Sequence, residues 1–171
     1  MCGFAGFLTA SASALGSLDA ITTQMAKAIA HRGPDDSGAW ADAQAGIALG
    51  FRRLSIIDLS PAGHQPMASS GGRFVIAFNG EIYNHLEMRA ELQAAGVAPA
   101  WRGHSDTETL LAGFEHWGVE ATFKRTWACL PLRCGMCRRA RCTLRATVLV
   151  KNLCITAGRA GRGVRLCLVL N

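Results

Sequence analysis

The sequence predicts an α+β fold, because candidate strands and amphipathic helices follow one another without a regular strand–helix alternation. Short apolar runs that are typical of strands occur at residues 4–8, 46–58 and 73–80. Helical periodicity or helix-end signals occur at residues 18–29, 84–96 and 105–118. Neither internal repeats nor low-complexity linkers interrupt these segments before residue 126.

The first elements are a strand, a helix and a turn. The run "FAGFL" at 4–8 predicts a short buried strand. In the segment that follows, apolar side chains recur at the i, i+3, i+4 and i+7 spacing of an amphipathic helix: Leu18, Ile21, Met25, Ala28 and Ile29. The stretch "RGPDDSG" at 32–38 combines Gly and Pro with Asp and Ser, which predicts a turn.

The later elements follow the same logic. One or two strands are expected in "GIALGFRRLSIID" (46–58), a loop in "PAGHQP" (61–66) and a strand in "RFVIAFNG" (73–80). The helix over 84–96 is predicted from Leu86, Arg89 and Leu92 in register, with Gly96 as its C-cap. The helix over 105–118 is predicted to begin at an N-cap and to end at a glycine, with acidic residues in its first turn: Ser105, Asp106, Glu108 and Gly118.

The overall composition indicates one ordered domain. The length of 171 residues suits a single core, and half of the residues are apolar. The sequence contains neither an apolar run of the roughly 18 residues that a membrane span needs nor a recognisable secretory signal. We therefore expect a soluble cytoplasmic protein that binds neither membrane nor nucleic acid.

The chain changes character near Thr126. Residues 1–126 contain 9 Lys and Arg and 12 Asp and Glu, a formal charge of −3. Residues 127–171 contain 9 Lys and Arg and no acidic residue, a formal charge of +9, which brings the chain to its total of +6. Six of the seven cysteines also lie after Thr126, so Cys2 is alone in the first part.

Cys2 is a candidate nucleophile because of its place at the start of the chain. A small second residue permits removal of Met1, which makes Cys2 the N-terminal residue. Its α-amine, which is partly deprotonated near neutral pH, is then a base for its own thiol. A small residue at position 2 is common, so Cys2 by itself is a weak signal.

Five motifs in order strengthen that signal: "MCGFAGF", "HRGPDDSG", "RLSIIDLSPAGHQPM", "NGEIYNH" and "GHSDTE". Together they resemble the glutaminase domain of class II glutamine amidotransferases, specifically the asparagine synthetase type. The resemblance covers residues 2–126, as a partial domain. It implies an N-terminal-nucleophile four-layer αββα sandwich, incomplete at its C-terminal end, that hydrolyses the side-chain amide of glutamine.

The resemblance also implies the catalytic groups. Cys2 matches the nucleophile, and Asn79 and Gly80 match an oxyanion hole made of a side-chain and a backbone N–H. Without the surrounding motif, an Asn-Gly pair more often forms a hairpin turn. No metal site is implied, and His31 and His85 are expected at loop or surface positions.

Glutamine is an amino acid, so its site must also hold a carboxylate and an ammonium group. Arg53 matches the carboxylate anchor, and Arg52 is expected on the opposite face of the strand. Asp106 and Glu81 match the groups that hold the ammonium, although an acidic residue at 106 also suits the first turn of a helix. Leu54, Ile56 and Ile57 are expected in the core or in the pocket lining.

Complete asparagine synthetases pass the ammonia to a second domain that uses ATP and Mg²⁺ to amidate aspartate. The resemblance implies that this chain, with 45 residues after Thr126, has no such domain and itself holds no cofactor. It further implies a homodimer for the full-length family. The acceptor of the ammonia is expected to be aspartate, although similar domains amidate other carboxylates.

The tail, residues 127–171, allows three interpretations as protein. A zinc site at Cys134 and Cys137 needs a second ligand pair, which Cys142 and Cys154 are too widely spaced to form. A redox pair of the same two cysteines needs a helix start after a strand, of which "PLRCGMCRR" gives little sign. A basic nucleic-acid-binding module is the third, but Trp127 is the only aromatic residue after Thr126. A basic, Cys-rich binding module is kept as the alternative function.

A shifted reading frame explains the tail better. Codons permitted for residues 126–136, read one nucleotide earlier, allow Val-Gly-Met-Phe-Ala-Phe-Ala-Leu-Trp-Asp, which is typical of the family after this helix. Residues 145–158 likewise allow Arg-Asp-Arg-Phe-Gly-Glu-Lys-Pro-Leu-Tyr-Tyr-Gly. We therefore predict that residues 127–171 are an out-of-frame translation and not a domain, and that the sheets keep unpaired edges. Resequencing the gene tests this: a frame without the shifted match would contradict it.

Overall fold

The computed structural model describes residues 2–9, 17–55, 59–129, 153–160 and 163–170. Helices and antiparallel strands are mixed along the chain, which confirms the α+β prediction. In the part of the chain that the structure describes, no helix is long and apolar enough to span a bilayer.

The first sheet is antiparallel, with the order β1-β3-β2. Its strands are β1 (Gly3–Leu8), β2 (Asp36–Asp42) and β3 (Ile47–Arg53). In this register Gly3 lies opposite Arg52, and Asp36 lies opposite Arg53. The starts of β1 and β2 therefore meet the end of β3, which brings Cys2 beside the end of that strand.

The prediction of a turn over 32–38 was wrong at its end, because β2 already begins at Asp36. The pairing partner decides this: Asp36, Ser37 and Gly38 all lie opposite residues of β3. Gly38 suits the position because a Cβ there would collide with the backbone of Gln65. Turn-forming residues thus form a strand where a neighbouring segment passes close to the sheet.

The second sheet has the order β4-β5-β8-β9, and a separate pair joins β6 to β7. These strands are β4 (Met67–Ala68), β5 (Phe74–Ile76), β6 (Glu81–Ile82), β7 (Ala128–Cys129), β8 (Leu153–Ala160) and β9 (Gly163–Leu170). The expected unpaired edge is wrong for β5, since β8 pairs with it over Phe74–Ile76. Backbone pairing of this kind uses N–H and C=O groups that every non-proline residue carries.

The described elements also include four α-helices, α1 (Leu18–Ala28), α2 (His85–Ala94), α3 (Asp106–Trp117) and α4 (Val119–Arg125), and two short 3₁₀ helices at Ala30–Arg32 and Pro61–Gly63. The Ser105 side chain accepts a hydrogen bond from the backbone N–H of Thr107 at 3.2 Å, so the predicted N-cap is present. Gly96 and Gly118 follow α2 and α3 with φ of 68° and 81°, a left-handed region that favours glycine. Helix α4 was not predicted.

Two predicted helix faces need correction. In α1 the buried residues are Leu18, Thr22 and Ala26, with Ile21 and Met25 only half-buried beside them. The helix lies close over Gly50, where a Cβ would be 3.0 Å from Thr22 Cγ2, so small side chains form the contact. In α2, Leu86 is 69% exposed and Met88 takes the expected core position.

Two apolar clusters flank β5. Alternate residues of β3 (Ile47, Leu49 and Phe51) contact Val75 and Ala77 in the first cluster, on which Cys2 packs. The second cluster joins the other side of this segment to α2 and α3, and its buried members are Met67, Ile76, Phe78, Ile82, Met88, Leu110, Leu111 and Phe114. Helix α1 covers the opposite face of the first sheet. The segment that leads to Asn79 is therefore fixed from both sides.

Candidate active site

Cys2 lies at the open end of the first sheet, directly before β1. Its thiol contacts the backbone of Leu54 twice: Sγ donates to the Leu54 carbonyl oxygen at 3.4 Å and accepts from the Leu54 N–H at 3.3 Å. The side chain is half-buried against the first apolar cluster. Sheet pairing therefore gives the candidate nucleophile a fixed position next to the end of β3.

Arg53 is the last residue of β3 and is only 8% exposed. Its Nη1 donates to the carbonyl oxygen of Ser60 at 2.9 Å, and its guanidinium lies against Gly63. A Cβ on Gly63 would collide with that guanidinium, so the glycine of "PAGHQP" makes room for it. Arg53 is thus a buried cation one residue from the backbone that Cys2 contacts.

The "RGPD" loop supports the end of β3 from the other side. Asp35 donates its backbone N–H to the Arg53 carbonyl oxygen at 3.1 Å, and its carboxylate accepts from the Ser55 N–H at 2.8 Å. Gly33 lies so close to the backbone of Arg52 and Arg53 that a Cβ would not fit. This loop holds the strand end that carries Arg53. Ile56 and Ile57 lie outside the described residues.

Asn79 and Gly80 are the last two residues of the loop between β5 and β6. Within the described strands, β5 pairs with β4 and β8 while β6 pairs with β7, so this loop is not a hairpin turn. Gly80 lies against the ring of Phe78, whose Cζ would be 2.7 Å from a Cβ at this position. Among the described residues, the half-buried Asn79 side chain has no hydrogen-bond partner.

Asp106 begins α3 and is 5% exposed. Its Oδ2 accepts from the Ile82 N–H at 2.9 Å, and its Oδ1 accepts from the Thr107 hydroxyl at 3.4 Å. Burial raises the pKa of Asp106, and the backbone hydrogen bonds from Ile82 and Thr107 and the nearby His85 oppose that rise. The first residue of α3 is therefore held close to the Asn79–Gly80 loop, because its hydrogen-bond partner Ile82 is three residues after Asn79.

Glu81 and His85 lie beside this carboxylate. Glu81 is exposed, and its partner in the strand pair is Cys129. His85 is half-buried; burial lowers its pKa, and the negative charge of Asp106 acts in the opposite direction. No group of three or more metal-ligating side chains is found among the described residues.

Gln65 is the most informative residue that the sequence reasoning missed. It is buried, its Oε1 accepts from the Phe78 N–H at 2.6 Å, and its Nε2 donates to Thr107 Oγ1 at 3.3 Å. It thereby joins the segment before Asn79 to the start of α3. Gln65 lies in the motif "GHQPM", where a polar residue next to Pro and Met was the one sequence feature that could have indicated a buried polar role.

Two further residues were missed. Arg89, predicted only as part of a helix face, donates to Thr109 Oγ1, to the carbonyl oxygens of Gly103 and Ser105, and to Glu108 Oε2. It therefore fixes the segment that precedes α3.

Asn84 donates to the Arg125 carbonyl oxygen at 2.8 Å and accepts from the Trp127 N–H at 2.7 Å, so "NGEIYN" also holds the end of α4.

The site thus has two halves. The cysteine half contains Cys2, Leu54 and Arg53, and the amide half contains Asn79, Gly80, Ile82 and Asp106. The first apolar cluster connects them, since both Cys2 and Ala77 belong to it and Ala77 is two residues before Asn79.

Comparison with known proteins gives a consistent result. Residues 1–128 match the family model described as glutamine amidotransferase domain. Asparagine synthetase [glutamine-hydrolyzing] 1 of Bacillus subtilis is 43% identical over 125 residues, which cover 72% of this chain and 19% of that protein. Asparagine synthetase B of Escherichia coli is 40% identical over 97 residues, 57% of this chain and 16% of that protein.

A Mycobacterium tuberculosis protein whose name assigns it as a glutamine-hydrolysing asparagine synthetase is 43% identical over 131 residues. This match covers 70% of this chain and 20% of that protein. The chain therefore spans about a fifth of the length of the curated relatives it matches.

Proposed function

We propose, because this chain belongs to the glutamine amidotransferase domain family, that it hydrolyses the side-chain amide of glutamine and releases ammonia, with Cys2 as the nucleophile. The observation that carries the proposal is the contact of the Cys2 thiol with the backbone of Leu54, beside the buried Arg53. This contact holds a reactive group next to a cation that suits the α-carboxylate of an amino acid.

The first step is attack of the Cys2 thiolate on the carboxamide carbon. Once Met1 is removed, the α-amine of Cys2 takes the thiol proton and delivers it to the departing nitrogen, so ammonia leaves and a thioester forms. Water then attacks the thioester, which yields glutamate and restores the thiol. The Leu54 N–H, 3.3 Å from Sγ, is a donor that supports the thiolate.

The oxyanion of the tetrahedral intermediate is held by neutral donors. The side-chain amide of Asn79 and the backbone N–H of Gly80 fill this role, which requires fixed donors rather than a positive charge. The Asn79 amide, which has no hydrogen-bond partner in the part of the chain that the structure describes, supports this assignment. The absence of a side chain at Gly80 leaves space for the substrate carbonyl.

The two charges of glutamine are held by groups of opposite sign. Arg53 binds the α-carboxylate, and Asp106 binds the α-ammonium with Glu81 as a second acceptor. Ionised Asp106 is required for this contact. Since burial raises the pKa of Asp106, glutamine binding weakens on acidification sooner than it would with an exposed aspartate.

We extend the proposal to the full-length proteins that the relatives represent. The two sheets with their flanking helices are part of the N-terminal-nucleophile four-layer sandwich, and the ammonia serves asparagine synthesis from aspartate in the cytoplasm. In such a full-length protein, ATP and Mg²⁺ would bind to a synthetase domain that lies outside the fifth of the sequence matched by this chain. The full-length protein would form a homodimer. The matched length and the names of the relatives support this extension.

Ammonia release from glutamine by the purified 171-residue chain tests the proposal. Cys2→Ala should reduce the rate to background, and Cys2→Ser should retain only a trace, because an alcohol is a far weaker nucleophile than a thiolate. Cys134→Ser is the matched control and should leave the rate unchanged. Mass spectrometry should find Met1 removed and a glutamine-derived thioester on Cys2. Equal rates for the parent chain and Cys2→Ala would contradict the proposal.

A further inference from the structure

We propose that Gln65 is a positioning residue that fixes the Asn79–Gly80 loop relative to Asp106. The inference rests on the glutaminase activity proposed above and adds a part to it. The hydrogen bonds of the Gln65 side chain are made with Phe78 and Thr107, so it acts on the loop through these neighbours.

Hydrogen bonds connect Gln65 to both ends of this loop. The Phe78 N–H donates to Gln65 Oε1 at 2.6 Å, and Gln65 Nε2 donates to Thr107 Oγ1 at 3.3 Å. The Thr107 hydroxyl donates to Asp106 Oδ1 at 3.4 Å, and the Ile82 N–H donates to Asp106 Oδ2 at 2.9 Å. The backbone from Phe78 to Ile82 closes a hydrogen-bonded ring.

The direction of each hydrogen bond in this ring is determined. The backbone N–H of Phe78 can only donate, so the atom of Gln65 that it meets must be the carbonyl oxygen. The NH₂ group of Gln65 therefore faces Thr107 and uses the acceptor capacity of its hydroxyl. The hydroxyl hydrogen is then left for the Asp106 carboxylate, which can only accept when ionised.

The ring lies in the interior, where its hydrogen bonds have little competition from water. Gln65, Thr107 and Asp106 are 7%, 2% and 5% exposed. A buried N–H that loses its acceptor is costly, so the segment at Phe78 would shift if the carboxamide were removed. The three residues between Phe78 and Ile82 are Asn79, Gly80 and Glu81, so such a shift moves the oxyanion donors.

The two ends of the ring should affect different kinetic constants. Gln65→Met keeps the side-chain length and leaves the Phe78 N–H unpaired, so kcat for glutamine should fall about 10–100-fold, as misplaced catalytic groups do. Thr107→Val removes the donor to Asp106 and the acceptor of Gln65 Nε2 but keeps the hydrogen bond between Gln65 and Phe78, so KM should rise about 5–10-fold with kcat within about threefold. Thr107→Ser keeps the hydroxyl and should restore both constants to within about twofold of the parent chain.

Amide hydrogen exchange tests the same ring without enzyme activity. In Gln65→Met the amides of residues 78–80 should exchange at least about tenfold faster, while those of β1 and β3 remain unchanged. Unchanged exchange at residues 78–80, or Thr107→Ser as impaired as Thr107→Val, would overturn the inference. If Cys2→Ala releases ammonia as fast as the parent chain, the proposed function fails, and the exchange rates still decide whether the ring fixes the loop.

Discussion

The cysteine half and the amide half of the site are held in place by different means. Cys2 and Arg53 are positioned by the ladder of β1 and β3, so backbone pairing sets their separation. Asn79 and Gly80 lie in a loop whose ends are held by the side chains of Gln65 and Asp106. The cysteine half therefore depends on backbone pairing and on glycines that leave space beside it, whereas the amide half depends on a few hydrogen-bonding side chains.

This difference leads to separate expectations for stability and catalysis. A change in the cysteine half that disturbs the sheet should affect folding and binding together. In the amide half, replacing a side chain that makes no hydrogen bond to the described residues should lower the catalytic rate and leave the fold intact. Three substitutions examine this difference, from the largest expected effect to the smallest.

Asn79→Ala should give the largest effect in the amide half. Loss of one oxyanion donor lowers kcat about 100–1000-fold, because the developing charge loses a fixed dipole. The melting temperature should stay within about 1 °C of the parent chain, since the Asn79 amide has no partner among the described residues. Steady-state ammonia release and thermal unfolding measure the two quantities.

Asn79→Asp is the companion variant, because its side chain has nearly the same shape but presents oxygens to the oxyanion. It should be at least as impaired as Asn79→Ala. A kcat within tenfold of the parent chain for Asn79→Ala would remove Asn79 from the oxyanion hole. A large drop in melting temperature would show that the amide half is not organised as we describe.

Gly63→Ala should give an intermediate effect in the cysteine half, through Arg53. The new methyl group collides with the guanidinium, so Arg53 must move and the KM for glutamine should rise about 10-fold or more. Stability should fall as well, typically by about 1–3 kcal/mol for an overpacked site. Ala62→Ser changes the same turn one residue earlier and is the matched control.

A substrate comparison then shows whether Arg53 binds the α-carboxylate. The parent chain should prefer glutamine to its α-methyl ester, which lacks the negative charge, and Arg53→Lys should reduce that preference because a Lys cannot form the paired hydrogen bonds. An Arg53→Lys chain that discriminates between the two substrates as well as the parent chain does would contradict the assignment.

The same difference explains what could be predicted from the sequence. The strands that carry Cys2 and Arg53 were predicted from apolar runs that are visible along the chain, whereas their pairing with each other was not predicted. The buried face of α1 was misjudged because its contact with Gly50 depends on which strand passes beneath the helix. Gln65 could not be assigned a role because its partners, Phe78 and Thr107, are 13 and 42 residues away.

Asp106→Asn should give the smallest effect, and the size of this effect depends on pH. Burial raises the pKa of Asp106 in the folded chain above its unfolded value, so the ionised carboxylate lowers stability as pH rises through that interval. The Asn variant lacks this charge. Its melting temperature should therefore exceed that of the parent chain near pH 7, by about 2–4 °C for each kcal/mol of penalty removed.

That gain in stability should shrink on acidification, because the parent carboxyl is then protonated and neutral like the amide. Binding should change in the opposite direction: the KM for glutamine rises in the variant at pH 7, since the ammonium of the substrate loses its anionic partner. Thermal unfolding of both chains from pH 4 to 8 measures the first effect, and Asp19→Asn in the exposed first turn of α1 is the matched control. If the variant is less stable than the parent chain at pH 7, the hydrogen bonds that the Asp106 carboxylate accepts from Ile82 and Thr107 outweigh the cost of burying its charge. The ionised carboxylate would then stabilise the amide half.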